Sequence, residues 1–354
     1  MKKIFVMAYL RNNLGDDLFV SELVKRYKDV EFFIDVVDPM YAKAFKENKN
    51  VKVMLNKKED FDKIDIEKYD GFVYIGGSIF MEGGKVYNLD ETCLKFINRC
   101  NDLKKPFYYI SSNYGPYKTA DYVSLSREVF KKCTDLCFRD KYSYNLFKDI
   151  PTIRYAPDLL FSYDIGKCEK EKNTIGISVI DLEIRENFKN REKEYIDFLT
   201  SNIINYINEG NKVYLFSFCR QEGDEKAIDK IVANIKDEKY IDNIYVVNYD
   251  GDIEKFLEVY KKMEYMLCQR FHSLILSYIC KQKFYVISYS KKIDNIIDEL
   301  NLCDEYVKLD QINSNKSIDL KEFFEVETNK LEIIKKSSLE QFIALDAFLG
   351  KGER

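Results

Sequence analysis

Short, nearly unbroken apolar runs recur along the chain, each followed by turn residues and then by a stretch whose apolar positions return every three or four residues. The first pattern predicts a buried strand, the second a helix with one covered face. Residues 4–9 predict the first strand, 12–17 its turn and 18–27 a helix carrying Leu18, Phe19, Val20, Leu23 and Val24. Further strands are predicted over 31–37, 51–55, 71–75, 106–111 and 136–138, with helices over 41–47, 89–103 and 122–132. A polar run over 166–173 interrupts the rhythm soon after Pro157 and Asp158. The alternation then resumes, with strands over 174–179, 212–218, 244–248, 265–268 and 284–289 and helices over 195–209, 224–235 and 253–262. Strand–helix repetition implies parallel sheets covered by helices. The expected architecture is α/β, with two Rossmann-like domains, residues 1–165 and 172–312, facing a central cleft. An amphipathic tail over 320–349 predicts C-terminal helices, within 313–354, that pack across both domains.

Composition narrows the possibilities. A chain of 354 residues, 46% hydrophobic and 33% charged, is long enough for two cores. Its 56 basic and 60 acidic residues leave a net charge of −4, which argues against a nucleic-acid partner. Nine cysteines, an odd number with no C-x-x-C pair, suggest neither a zinc site nor a disulfide framework, and fit small core residues in a reducing cytoplasm. Scattered carboxylates and a single histidine predict no metal site. The opening MKKIFVMAYL is too short for a signal peptide and leads straight into charged residues. No segment approaches the roughly 18 apolar residues of a membrane span, so any membrane association is expected to be peripheral.

The candidate chemistry gathers at strand ends. Gly15, the Gly76-Gly77 pair and Gly115 follow apolar runs, which in a parallel sheet places them at the carboxyl edge where ligands bind. None fits G-x-G-x-x-G, and each taken singly suits a tight turn. His272, the sole histidine, stands in Cys268-Gln269-Arg270-Phe271-His272-Ser273, just before an apolar run over 274–279. A loop entering a helix with Arg, His and Ser at its mouth can bind an anion and offer it a proton. The same stretch also reads as a capping Ser273, a solvated Arg270 and a packed His272.

Seven short motifs then carry a resemblance: Asn13-Leu14-Gly15-Asp16-Asp17-Leu18, Gly76-Gly77-Ser78, Tyr114-Gly115-Pro116, Phe138-Arg139-Asp140 with Ser143, Ala156-Pro157-Asp158, Arg270-Phe271-His272-Ser273 and Tyr289-Ser290-Lys291-Lys292. In this order they resemble the polysaccharide pyruvyl transferase family. Ser78, where the family more often has a third glycine, and Lys283, where it usually has proline, depart from the pattern. The resemblance implies a glycosyltransferase-B-like fold and transfer of the pyruvyl group of phosphoenolpyruvate, as a cyclic ketal, onto two hydroxyls of a sugar or lipid-linked glycan. No cofactor is expected beyond that co-substrate; the expected location is the cytoplasm, and assembly into a homo-oligomer stays open. His272 is the candidate general acid. Arg139, Arg270, Ser273 and Lys292 are candidates for the donor, since arginine forks match carboxylate and phosphate and lysine supplies a point charge. Asn13, Asp16, Gly76, Gly77 and Tyr114 are candidates for the acceptor. Asp140 is expected to cap the helix beginning at Lys141, and Asp17 to face a helix dipole. With no Trp in the chain, sugar stacking falls to Tyr114 or Tyr117. Two other classes stay open: a nucleotide-sugar glycosyltransferase of the same fold and a non-catalytic glycan-binding relative.

Overall fold

The computed structural model describes residues 1–56, 60–84 and 86–351. The chain forms two compact units. The first comprises Met1–Leu10, Asp16–Ser162 and the chain from Ile333 onward; the second comprises Arg11–Gly15 and Tyr163–Glu332.

In the first unit, strands β1 (Lys3–Met7), β2 (Glu31–Val36), β3 (Val51–Leu55), β4 (Gly71–Ile75), β5 (Phe107–Ser112), β6 (Asp135–Phe138) and β7 (Ile153–Tyr155) form one parallel sheet. Their order is β3-β2-β1-β4-β5-β6-β7, so the direction of winding reverses between β1 and β4. The helices are α1 (Leu14–Arg26), α2 (Glu91–Asp102), α3 (Ala120–Phe130) and α4 (Lys141–Phe147). Strands β4 and β5 are buried along their whole length, as parallel strands covered on both faces must be. Helix α2 shows how sequence sets an element: Asp90 accepts from the N–H groups of Thr92 and Cys93 at 2.8 and 3.1 Å and starts it. Cys93, Phe96, Ile97 and Cys100 then form the single stripe it buries. That stripe meets an aromatic core in which Phe72 packs on Phe96, Phe107 and Tyr69. Where a helix is expected over 41–47, a tighter 3-10 turn runs over Pro39–Phe45, begun by Pro39 and capped by Asp38.

The second unit repeats the plan. Strands β8 (Glu171–Ser178), β9 (Lys212–Ser217), β10 (Ile244–Asn248), β11 (Met263–Cys268), β12 (Lys283–Ser288) and β13 (Tyr306–Lys308) lie in the order β10-β9-β8-β11-β12-β13, all parallel. Its helices are α5 (Glu192–Asn208), α6 (Asp224–Asn234), α7 (Ile253–Tyr260), α8 (Phe271–Ile279) and α9 (Lys291–Leu300), followed by α10 (Thr328–Ser338), within which the unit ends. The reversal here falls between β8 and β11, and sheets of this kind bind ligands at the carboxyl ends of such a pair. Gly176 is required in the middle of β8 because a Cβ there would run into the Met266 side chain from β11.

The tail is not one continuous helix. After α10, a 3-10 turn over Leu339–Phe342 leads into α11 (Ile343–Leu349). In this part of the first unit, buried Gln341 accepts from the Ser111 N–H at 2.9 Å and donates to the carbonyls of Ala156, Pro157 and Phe138. Asp346 receives a two-pronged ion pair from Arg26, at 3.0 and 2.6 Å, and the Tyr27 hydroxyl at 2.8 Å. The tail therefore divides between the two units at Ile333, and the first residues of the expected acceptor loop, 11–15, belong to the second unit. Among the described residues, no helix is long and apolar enough to cross a membrane.

Candidate active site

In the first unit, the loops after β4, β5, β6 and β7 are held around Arg139. Its guanidinium donates to Asp158 at 2.9 Å and to Asn113 at 2.5 Å, and its backbone N–H donates to the Ser112 carbonyl at 2.9 Å. Asn113 in turn donates its N–H to the Gly77 carbonyl at 2.8 Å and accepts from Ser78 at 3.4 Å. A side chain at Gly77 would overlap the Arg139 guanidinium, and Gly76, at φ +149°, adopts a conformation other residues avoid. Arg139 and Asp158 are almost wholly buried, at 2% and 0% side-chain exposure. Burial raises the Asp158 carboxyl above its usual range, with Arg139 opposing. Arg139, expected at the donor, is thus placed as the post between four loops.

The neighbouring motif is a second brace. Asp140 caps α4 as expected, accepting from the Ser143 N–H at 2.8 Å and its hydroxyl at 2.9 Å, and the Ser143 hydroxyl accepts the Tyr114 N–H at 2.7 Å. Tyr114, expected against the acceptor, is a core residue: it is 4% exposed, its ring meets Phe147 edge-on at 4.7 Å and its hydroxyl pairs with Ser126. Packed so, it has no free face for a sugar, whereas Tyr117 is 36% exposed. Asp16 lies in the first turn of α1, its carboxylate 3.5 Å from where a Gly76 Cβ would stand.

In the second unit, the turn from β11 into α8 is set by two serines. Ser178, at the end of β8, accepts the N–H groups of Gln269 and Arg270 at 2.8 and 3.2 Å and shares a 2.7 Å bond with Ser273. Ser273 donates to the Arg270 carbonyl at 2.7 Å and is fully buried, so this candidate donor residue fixes the turn instead of facing a ligand. The turn aims Arg270 at two carboxylates, Glu222 and Asp224, in close ion pairs. Asp224 also accepts the N–H groups of Phe218 and Cys219 at 2.9 and 3.0 Å. Glu222 takes a second guanidinium, that of Arg185, at 2.9 Å, and the Asn13 amide at 3.4 Å. Arg185 itself lies over the Tyr289 ring, 4.9 Å from its centre.

Segment 11–15 completes this cluster. Asn13 bridges to Cys219, and the Leu14 N–H reaches the Phe218 carbonyl at 3.1 Å. Gly15 lies against half-buried His272, whose ring stands edge-on to Phe271 at 5.2 Å. Burial works to raise the Glu222 carboxyl, but the positive charges of Arg270, Arg185 and Lys292 outweigh it and hold it at about 2. Burial pushes Asp224 the other way, to about 6, against the pull of Arg270. Asn13, Arg270, His272 and Lys292 thus belong to one unit, while Arg139, Asp16, Gly76, Gly77 and Tyr114 belong to the other.

The sequence matches the polysaccharide pyruvyl transferase family over residues 13–291. The chain belongs to that family. Its matched span includes every site residue described above except Lys292, which stands next to its end. Among solved structures, this pyruvyl transferase family member is similar to Anabaena HepE in complex with UDP-glucose, at 9% identity and a TM-score of 0.60 over 99% of this chain and 100% of that one. It is also similar to the UDP-GlcNAc 2-epimerase of Methanocaldococcus jannaschii, at 10% identity and a TM-score of 0.56 over 99% of each chain. These likenesses bear out the fold class, α/β with two Rossmann-like domains of the glycosyltransferase-B kind.

Three residues escaped the sequence reading: Arg185, Glu222 and Asp224. The one available signal was position, since Glu222 and Asp224 follow the β9 run at the carboxyl edge of its sheet. Among the described residues one acidic group could hold a metal ion, Asp181, Glu183 and Glu192 in the second unit. Lys230 already supplies its cation, donating to Glu183 at 2.8 Å and Glu192 at 2.6 Å. A cavity of about 1000 Å³ in the first unit, lined by residues such as Tyr27, Leu339 and Ile343, includes none of the candidate residues.

Proposed function

We propose that this family member transfers the pyruvyl group of phosphoenolpyruvate to two hydroxyls of a sugar, in a cell-surface polysaccharide or its lipid-linked precursor, as a cyclic ketal. The observation that carries the reading is the company of the only histidine: His272 shares one unit with Arg270, Arg185 and Lys292, and its ring lies against Gly15, in the segment whose Asn13 reaches Glu222. Phosphoenolpyruvate brings a carboxylate and a phosphate together, and these cations match its charge. His272 gives a proton to the methylene carbon, leaving an oxocarbenium-like C2. One sugar hydroxyl adds to C2 and returns its proton to His272; the second displaces the phosphate, which takes that hydroxyl's proton and departs as inorganic phosphate. The products are the ketal, its new methyl group and one phosphate, so atoms and charge balance. A positioned acid contributes about 10² to 10⁴ in rate.

In this reading Arg139 and Ser273 position loops, and Asn13 and Asp16 are left as candidates for the acceptor. The reaction draws on a cytoplasmic metabolite, calls for no metal, and takes a free or lipid-linked glycan reached at most from the membrane surface. The test is thermal unfolding with phosphoenolpyruvate beside a panel of UDP-sugars, followed by phosphate release with candidate glycans. A ligand at about 100 times its Kd stabilises by roughly 2.7 kcal/mol. Stabilisation by phosphoenolpyruvate that persists in His272→Ala, with phosphate release lost, supports the reading. Stabilisation by a UDP-sugar alone overturns it in favour of glycosyl transfer.

A further inference from the structure

Glu222 has no task in the reaction as written, yet it sits where that reaction needs an anion. Its Oε2 receives Arg185 at 2.9 Å and Arg270 in a close ion pair, while Oε1 takes the Asn13 amide. One oxygen gripped by two guanidinium groups is how a phosphate or carboxylate ligand is held. Arg270 already has a second carboxylate partner in Asp224, which backbone N–H groups pin in place. The Glu222 carboxylate is bound only by side chains among the described contacts. It closes a three-residue turn, Arg220–Glu222, ahead of Gly223 at φ +80°, and its side chain is 23% exposed. Rotation about its own bonds can carry the carboxylate into solvent without moving the backbone.

Two further observations point to a ligand here. The Nε atoms of Arg185 and of Arg270 are buried and have no hydrogen-bond partner among the described residues, and the Arg270 side chain is 9% exposed. A carboxylate has two oxygens to offer this pair of forks, and a phosphate ester has three. Arg185, Arg270 and Lys292 against Glu222 and Asp224 leave one positive charge in the cluster; with Glu222 swung out they leave two, closer to what a multiply charged donor requires.

We infer that the Glu222 carboxylate stands in the place of the donor's anionic group, is displaced from Arg185 and Arg270 when the donor binds, and so makes Arg185 a second donor-binding cation. The inference rests on the proposed function for the identity of the donor; the site itself selects a phosphate or carboxylate. Calorimetric titration of wild type, Glu222→Gln and Arg185→Ala with inorganic phosphate and with phosphoenolpyruvate tests it. Glu222→Gln, which removes the competing charge and keeps the size, is expected to bind both anions about tenfold more tightly, a gain of about 1.4 kcal/mol. Arg185→Ala is expected to bind both more weakly. If phosphoenolpyruvate binds wild type and Glu222→Gln equally, or the variant more weakly, the inference fails and the proposed donor stands. If phosphate binds the variant more tightly while phosphoenolpyruvate binds neither protein, the inference stands and the proposed donor fails. If neither anion binds any of the proteins at about 10 mM, both fail. Should Glu222→Gln not fold, Glu222→Asp, which shortens the reach of the carboxylate, is expected to bind phosphate more tightly than wild type, and equal or weaker binding overturns the inference.

Discussion

Gly15 lies directly against the imidazole of His272: a methyl group at position 15 would overlap ring atoms Nδ1, Cε1 and Cγ. The requirement is steric, not conformational, and it makes the loop over 11–15 part of the wall that sets the ring's position.

Gly15→Ala is therefore expected to push the imidazole aside. A displacement of about 1 Å at a reacting group costs on the order of a hundredfold in turnover, and overpacking costs about 1–3 kcal/mol in stability. Under the proposed function, donor affinity is assigned to the arginines and is expected to stay within a fewfold of wild type. Steady-state phosphate release and calorimetric binding on the same preparation decide the matter, and unchanged turnover would show that the position of His272 is not critical.

Arg139 and Asp158 make the opposite kind of prediction. Because both are buried, removing one partner strands the other's charge, a loss of about 3–5 kcal/mol. Arg139→Met is expected to lower stability by that much in urea unfolding, and the double variant Arg139→Met with Asp158→Asn to recover part of it. A single variant as stable as wild type that fails only to bind phosphoenolpyruvate would return Arg139 to the donor site.

Glu222 ties stability to pH. Its carboxyl is held at about 2 in the folded chain against an ordinary 4.5, so its contribution is fully present above 4.5 and is lost as pH falls towards 2. Asp224, at about 6 beside it, titrates higher, so the Glu222 effect is read below about pH 5, where the stability difference between wild type and Glu222→Gln is expected to narrow as pH falls. A difference that holds level or widens down to about pH 3 contradicts the ion-pair geometry.

The strands were legible because central parallel strands are apolar on both faces, and β3, β4 and β10 fall on the predicted residues. The two that were missed, β7 and β13, have three residues each, too few to show a period. Caps were legible where a short polar side chain precedes the helix, as with Asp140. Segment 11–15 could not be assigned from sequence: its partners Phe218, Cys219 and Glu222 lie some two hundred residues away, and nothing local encodes that pairing. His272 and Arg270 drew notice because one is the only histidine and the other stands beside it. Arg185 and Glu222 are single charges in loops, and only the fold brings them to one oxygen atom.

The division of the tail bears on the order in which the chain can assemble during synthesis. Gln341 joins the ends of β5 and β6 to the segment after β7, and Asp346 holds the end of α1, yet both are made after every residue of the second unit. While residues 333–351 are still inside the ribosome, the Ser111 N–H and the Arg26 guanidinium lack these partners. The unit that starts first is thus the one that finishes last: every residue of the second unit is made before the segment from Ile333 that completes the first.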